Sequence, residues 1–304
     1  MRYFPSAISK WKREAMTWYQ RDTELFVKLY KDVEDRMTQG DTRASFTSTI
    51  IHDQERYGLS PIEGAWLSAN MYAGGAETSA AAVDWFMLAM IAFPKVQEKC
   101  HQELDAVIGR SRMPGFADQE NLPYIRATVR EVMRWRTVTP IGTPHRAMED
   151  DWYEGYFIPK GTIVIANIWA MNKDKEIYGP DADEFNPGRH LGPDGKLALS
   201  PPDTKRDNNV SAEGNVSFGY GGRVCPGRHV ANASLFINIA CLLWAANIDA
   251  EKDSNGQPIT PSLSDTSTVN DGIVVRPLPF KCFVTSRFPE AVEVIAHTKE
   301  ILGM

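Results

Sequence analysis

Phe218-Gly219-Tyr220-Gly221-Gly222-Arg223-Val224-Cys225-Pro226-Gly227 is the stretch from which the rest of the chain is read. Gly219, Gly221 and Gly222 let the backbone turn tightly and approach a flat object closely. A single cysteine follows them, then Pro226, then an apolar run from Val230. Proline is tolerated in a first helical turn, so the order reads as loop, cysteine, helix start. The positive end of the helix dipole and the nearby Arg223 and Arg228 favour the thiolate, the form that binds metals. No second cysteine lies close enough for a C-x-x-C pair, which speaks against zinc. A phosphatase-type loop needs an arginine six residues after its cysteine, where this chain has Ala231. One thiolate among glycines suits a haem iron, which takes a single protein ligand per face.

The 304-residue chain is long enough for a sizeable core and for one or two domains. Hydrophobic residues make up 43% and charged residues 24%, the balance of an ordinary globular protein. The net charge of -6 argues against nucleic acid as a partner. Cys100, Cys225, Cys241 and Cys282 are scattered like reduced thiols rather than spaced as a disulfide framework. Met1-Arg2-Tyr3-Phe4-Pro5 has no apolar core, so neither a signal peptide nor an anchor is expected in this chain. The longest uncharged run, Val230 to Ile248, holds three asparagines and reads as a buried helix, about 228–248, rather than a membrane span.

Outward from the cysteine loop, periodicity predicts the other elements. Ile8, Trp11, Ala15, Trp18, Phe26, Leu29, Val33 and Met37 recur at helical spacing, giving a long amphipathic covering helix ended by Gly40. Pro61 to Phe93 is nearly free of charge, and a helix so apolar all round is expected to be deeply buried. Gly74 and Gly75 inside it cost on the order of 1 kcal/mol each relative to alanine and leave room for something flat or small. A further amphipathic helix runs from about Pro94 to Ile108, with Cys100 on its core face and His101 expected at the surface. Leu122 to Trp135 is another, with Glu131 and Arg134 sharing a face at i, i+3. Tyr156–Ile158 and Thr162–Ile165 carry strand signals on either side of a turn at Pro159–Gly161. Residues 192–215 read as a polar surface loop. Asp271–Pro277 and Phe280–Thr285 look like the two arms of a terminal hairpin.

The spacing Phe-x-x-Gly-x-Arg-x-Cys-x-Gly is met at every fixed position from Phe218 to Gly227. It resembles the haem-binding signature of the cytochrome P450 family of haem-thiolate monooxygenases. Three further motifs, and one extended segment, follow the family's order. Gly74-Gly75-Ala76-Glu77-Thr78-Ser79 is similar to the family's pattern in the helix that crosses above the haem. Glu131-x-x-Arg134 matches the Glu-x-x-Arg motif, and Phe185-Asn186-Pro187-Gly188-Arg189 the Phe-x-Pro-x-Arg element that supplies its third member. Thr139-Pro140-Ile141-Gly142-Thr143-Pro144-His145-Arg146 resembles the extended segment along the haem edge.

The resemblance implies a mainly α fold with small β-sheets, the cytochrome P450 fold, over residues 1–304 as one incomplete domain lacking its N-terminal part. It implies haem b, iron protoporphyrin IX, held by Cys225 as axial ligand. Phe218, Gly219, Gly221, Arg223 and Gly227 would surround it, and His145, or Arg146 if the register slips by one, would bind a propionate. Glu77 and Thr78 would deliver protons, the threonine holding a water. Glu131, Arg134 and Arg189 would lock the loop leading to the cysteine. Ala73, Ile141 and Ile273 would face substrate. The implied partners are O2, an NADPH-dependent cytochrome reductase and a small hydrophobic organic substrate. The details are closest to eukaryotic microsomal, fungal members, which places the parent enzyme at the endoplasmic reticulum membrane. The alternative is a non-catalytic or truncated haem-binding fragment of such an enzyme.

Overall fold

The amphipathic period from Trp11 to Met37 forms helix α1, Lys10–Thr38, which ends where Gly40 takes a left-handed backbone, φ 93°. The computed structural model describes residues 9–198, 213–264, 268–270 and 273–301. Ile8, most of the predicted loop at 192–215, and Asp271 and Gly272 of the first predicted hairpin arm lie outside them. The chain divides into two compact units, Met1–Ala76 and Glu77–Met304, and the boundary falls inside a helix.

In the first unit, α1 is followed by α2, Phe46–His52, and α3, Gln54–Tyr57. Ser45 and Ser48 form a reciprocal capping box that starts α2. Helix α4, Pro61–Ala92, begins in this unit. Tyr30, Ile50 and Ala65 form its small core. Gly64 is required there, since a Cβ would stand 2.7 Å from the Tyr30 hydroxyl.

The second unit carries the main core. Pro94 cannot donate a backbone hydrogen bond, so α4 stops and α5, Pro94–Val107, leaves at 103°. Helices α6, Pro123–Trp135, and α9, Arg228–Ala245, complete one apolar cluster with them. Trp85, Trp135, Phe93 and Phe185 meet largely edge to face at its centre. Two short helices, α7, Ile168–Met171, and α8, Lys175–Tyr178, lie between α6 and the cysteine loop in sequence, and α10, Ala291–Ile301, follows the last strand. Among the described residues no single helix is long and apolar enough to cross a membrane.

Among the described residues, four two-stranded antiparallel sheets accompany the helices. β1, His145–Arg146, pairs with β4, Ile163–Val164; β2, Asp151–Tyr153, pairs with β3, Tyr156–Ile158. β5, Ala246–Ala250, pairs with β8, Cys282–Ser286; β6, Thr268–Asn270, pairs with β7, Val275–Pro277. The expected mainly α fold with small sheets is therefore present. Three expectations are corrected. The two arms read as one terminal hairpin belong to different sheets, because β7 turns back on β6 while β8 joins β5. The α9 helix stops at Ala245 rather than Ile248. The buried Gln97 amide donates to the Ile248 carbonyl at 3.0 Å and its oxygen accepts the Ile248 N–H at 2.7 Å, an arrangement that fits a strand edge. Deep burial of α4 holds for Ala81–Ile91 but not for Ile62, Leu67, Met71 and Tyr72, which are exposed. Composition makes a helix apolar; only facing partners bury it.

His101, expected at the surface, is half-buried. Burial first, and then the positive charge of Arg287, lower its pKa from 6.5 to about 4. The unfolded chain therefore takes up this proton before the folded one does. The neutral ring's contribution is intact above pH 6.5 and is lost as pH falls through about 4. We expect His101→Gln to flatten the fall of the thermal midpoint across that window. An unchanged pH dependence of the unfolding temperature would exclude this role.

Candidate active site

Cys225 sits three residues ahead of α9, with Gly227 as the helix N-cap and Pro226 before it rather than inside the first turn. Its N–H donates to the Phe218 carbonyl at 2.8 Å, which closes the loop on itself. Phe218 packs against the main core and anchors the near end. Between them a 3-10 turn, Gly221–Arg223, makes the bend. Gly219 has φ 75° and Gly221 φ 57°, conformations that side-chain-bearing residues rarely adopt. The thiol is half-buried. Among the described residues, a Cβ added at Gly219, Gly221 or Gly222 would meet no atom within 4 Å, so one side of the loop is open. Arg223 is exposed, and Arg228 points back to donate to the Cys225 carbonyl at 3.4 Å.

A buried ionic cluster is tied to the segment leading into the loop, since the Ser217 hydroxyl donates to the Met133 carbonyl at 2.7 Å. Glu131 and Arg134 have side-chain exposures of 0% each and pair through two parallel bonds of 2.8 and 2.7 Å. The rest of the Arg134 guanidinium donates to the carbonyls of Asn172, Ala182 and Glu184, so all its N–H groups are used. Arg189, on a 3-10 turn at Pro187–His190, donates to Glu131 at 3.1 Å and to Asp181. The Asn186 N–H adds a bond of 2.8 Å to the same carboxylate. His190, not singled out from sequence, donates its Nε2 proton to Glu131 at 2.8 Å. Burial alone would raise the Glu131 carboxyl, but the bonds from Arg134 and His190 outweigh it and hold the pKa below the ordinary range. Burial pushes the His190 pKa down despite its carboxylate partner, so the ring is neutral. The signal for His190 was its place directly after Arg189 on a turn.

Glu77 and Thr78 lie on α4, with Glu77 exposed and Thr78 half-buried. Gly74 and Gly75 leave open space where a Cβ would stand. Arg276 on β7 reaches Glu77 at 3.6 Å and Asp84 at 3.9 Å. Glu77 and Asp84 are seven residues apart, two helical turns, and so share a face. Arg276 was missed because its partners lie about two hundred residues away in sequence, where no spacing links them. Burial raises the pKa of Asp84, and Arg276 partly offsets that.

The remaining predicted residues are at the surface. His145 and Arg146 are both exposed on β1. The Arg146 guanidinium lies beside the Gly161 turn, 3.5 Å from where a Cβ would be. Ile141 and Ile273 are exposed, and Ala73 is exposed in the first unit. The Val275 N–H donates to the Val138 carbonyl at 2.8 Å, which sets the strand after Ile273 beside the segment leading to Ile141.

The cytochrome P450 family model matches residues 1–281. The chain belongs to the cytochrome P450 family. A cytochrome P450 monooxygenase of Armillaria gallica is 52% identical over 303 residues, covering 100% of this chain and 57% of that protein. Another from Amanita muscaria is 41% identical, covering 99% of this chain and 60% of its own length. A solved zebrafish cytochrome P450 structure, with abiraterone, matches with a TM-score of 0.69 at 26% identity, over 87% of this chain and 59% of that one. The chain thus spans a little over half the length of these relatives.

Haem is the cofactor of cytochrome P450 proteins, and the residues here fit it. The donor set is one thiol with open space beside it, which suits an iron whose other ligands come from a porphyrin. Among the described residues no group of three or more His, Cys, Asp or Glu side chains could hold a bare metal ion. The family uses a redox partner, O2 and an organic substrate.

Proposed function

We propose that the protein is a haem-thiolate monooxygenase, using haem b, that inserts one oxygen atom from O2 into a small hydrophobic organic compound. The observation that carries this is Cys225, a half-buried thiol in a glycine turn with two left-handed glycines that is open on one side. When bound, the haem supplies oxygen activation: O2, two electrons and two protons give one oxygen atom to substrate and one water. The electrons are assigned to an NADPH-dependent reductase. Resemblance to microsomal members supports placing the whole protein at the endoplasmic reticulum membrane.

Cys225 would hold the haem iron through its thiolate, with the loop amides of its glycine turn moderating the charge on its sulfur. Thr78 holds a water through its hydroxyl and passes its proton inward. Glu77, exposed to solvent, takes protons from bulk water and re-supplies that site. Arg276 limits where the Glu77 carboxylate can go. His145 is favoured over Arg146 for a propionate, since Arg146 lies along the Gly161 turn and successive strand residues point to opposite faces. Glu131, Arg134 and Arg189 support the loop from behind. Ala73, Ile141 and Ile273 are the proposed substrate contacts, and their exposed apolar surfaces suit a hydrophobic compound.

The test supplies the haem-loaded protein, expressed from the complete reading frame, with reductase, NADPH, isotopically heavy O2 and a panel of small apolar compounds. A product carrying one heavy oxygen atom is expected. NADPH oxidised only to peroxide, or not at all, across the panel would favour a non-catalytic haem protein. Thr78→Ala should lower product formation by up to about 100-fold, the low end for a positioned proton donor, while haem content stays unchanged. NADPH consumed, peroxide released and product formed are measured together; unchanged coupling removes Thr78 from the proton path.

A further inference from the structure

Asn172, at the end of α7, is 0% exposed and uses every polar group it has. Its N–H donates to the Ile168 carbonyl at 2.9 Å. Its carbonyl accepts from Arg134 at 2.7 Å. Its side-chain oxygen accepts the Val216 N–H at 3.0 Å, and its side-chain amide donates to the Ser217 hydroxyl at 2.9 Å. The Ser217 hydroxyl donates in turn to the Met133 carbonyl at 2.7 Å, one residue before Arg134. The next residue, Phe218, offers the carbonyl that receives the Cys225 N–H. The segment from Asn215 is folded locally as well: Asn215 accepts the Ser217 N–H at 3.0 Å, and Gly219 donates to the Val216 carbonyl at 3.0 Å.

A continuous polar path therefore runs from the buried Glu131–Arg134 pair through Asn172 to Val216 and Ser217, and by the backbone to the cysteine turn. We propose that Asn172, acting with Ser217, is the positioning residue that sets the height and register of the Cys225 turn against the Glu131–Arg134 pair; this rests on Cys225 being the haem ligand. The Arg134 guanidinium spends its N–H groups on Glu131 and three carbonyls, none of them in the turn. A neutral amide with one donor side and one acceptor side can bond the Val216 N–H and the Ser217 hydroxyl at once. An apolar side chain of the same volume would fill the space but leave the Val216 N–H buried and unpaired, which costs more than the bond itself gave. The loop would then relax by shifting, and the thiolate would move with it.

The test uses the haem-loaded protein with Asn172→Leu, Ser217→Ala, Ser217→Thr and Cys225→Ala. Two readouts are taken besides turnover: the absorption of the reduced protein with carbon monoxide, and hydrogen exchange of the peptide containing Val216. Asn172→Leu is expected to lose most of its thiolate-type red-shifted band to the neutral-thiol form and to exchange the Val216 amide about tenfold faster. Ser217→Ala should show a smaller loss of the same kind, and Ser217→Thr, which keeps the hydroxyl, should restore the band. Should Asn172→Leu not fold, the Ser217 pair decides. A full thiolate band and unchanged Val216 exchange in the Asn172 or Ser217→Ala variant, with only a lowered unfolding temperature, overturns the proposal. A band that survives in Cys225→Ala overturns instead the reading of Cys225 as ligand.

Discussion

Cys225→Ala should abolish the thiolate-type red-shifted Soret band of the reduced, carbon-monoxide-bound protein and most of its stable haem binding. The chain's other three cysteines are poorly placed to take over. Cys100 is fully buried beside Thr128, and burial pushes its thiol up to about 12. Cys241 is half-buried on α9, pushed up to about 11 by burial, with its thiol toward the Pro114 carbonyl. Cys282 begins β8 opposite Ala250. None of the three stands in a glycine turn with open space beside it, so none can replace the lost ligand without unfolding its own surroundings. The measurement is the reduced carbon-monoxide difference spectrum together with haem per chain. A band that persists in the alanine variant would remove Cys225 from the iron.

The second large effect is expected at the ionic cluster. Arg134→Ala leaves the Glu131 carboxylate in a fully buried site with its two-bond partner gone, and leaves the carbonyls of Asn172, Ala182 and Glu184 without that donor. Breaking such a buried pair from one side costs about 3–5 kcal/mol. Whole-domain stability is only about 5–15 kcal/mol, so a large part of it is removed. We expect the unfolding temperature to fall by roughly 10 °C or more, with haem lost in parallel. Arg134→Lys should recover little, since an ammonium cannot form the two-pronged bond and reach three carbonyls together. An Arg134→Ala variant that unfolds at the parent temperature would show that the cluster does not support the fold.

The same cluster predicts acid sensitivity. The Glu131 carboxyl is held below its ordinary 4.5, so its contribution is present above that value and lost as pH falls toward the folded-state pKa. His190 is depressed below 6.5 by burial, so protonation favours the unfolded chain as pH drops below that value. Both groups act in one direction, toward loss of stability in acid.

What could be read without coordinates was local. The Cys225 turn was legible because Gly219, Gly221 and Gly222 have a conformational meaning that does not depend on the rest of the chain. Glu131 and Arg134 were legible as neighbours because i, i+3 spacing on a helix brings any two residues to one face. Helices α1, α5 and α6 were legible because apolar periodicity repeats every turn, and α4 because a long run almost free of charge is apolar all round; α2 and α3 were not read from the sequence. The tertiary structure alone decided matters that depend on distant partners. Cys282–Ser286 joins Ala246–Ala250 rather than Val275–Pro277, since strand pairing is chosen by hydrogen bonds between segments and leaves no trace in either one's period. Arg276 reaches Glu77 and Asp84, and Asn172 carries the link from Arg134 to Val216 and Ser217, through contacts formed only after the chain has folded back. The exposure of Ile62, Leu67, Met71 and Tyr72 on α4 belongs to the same class: hydrophobicity is a property of residues, but burial is a property of what packs against them.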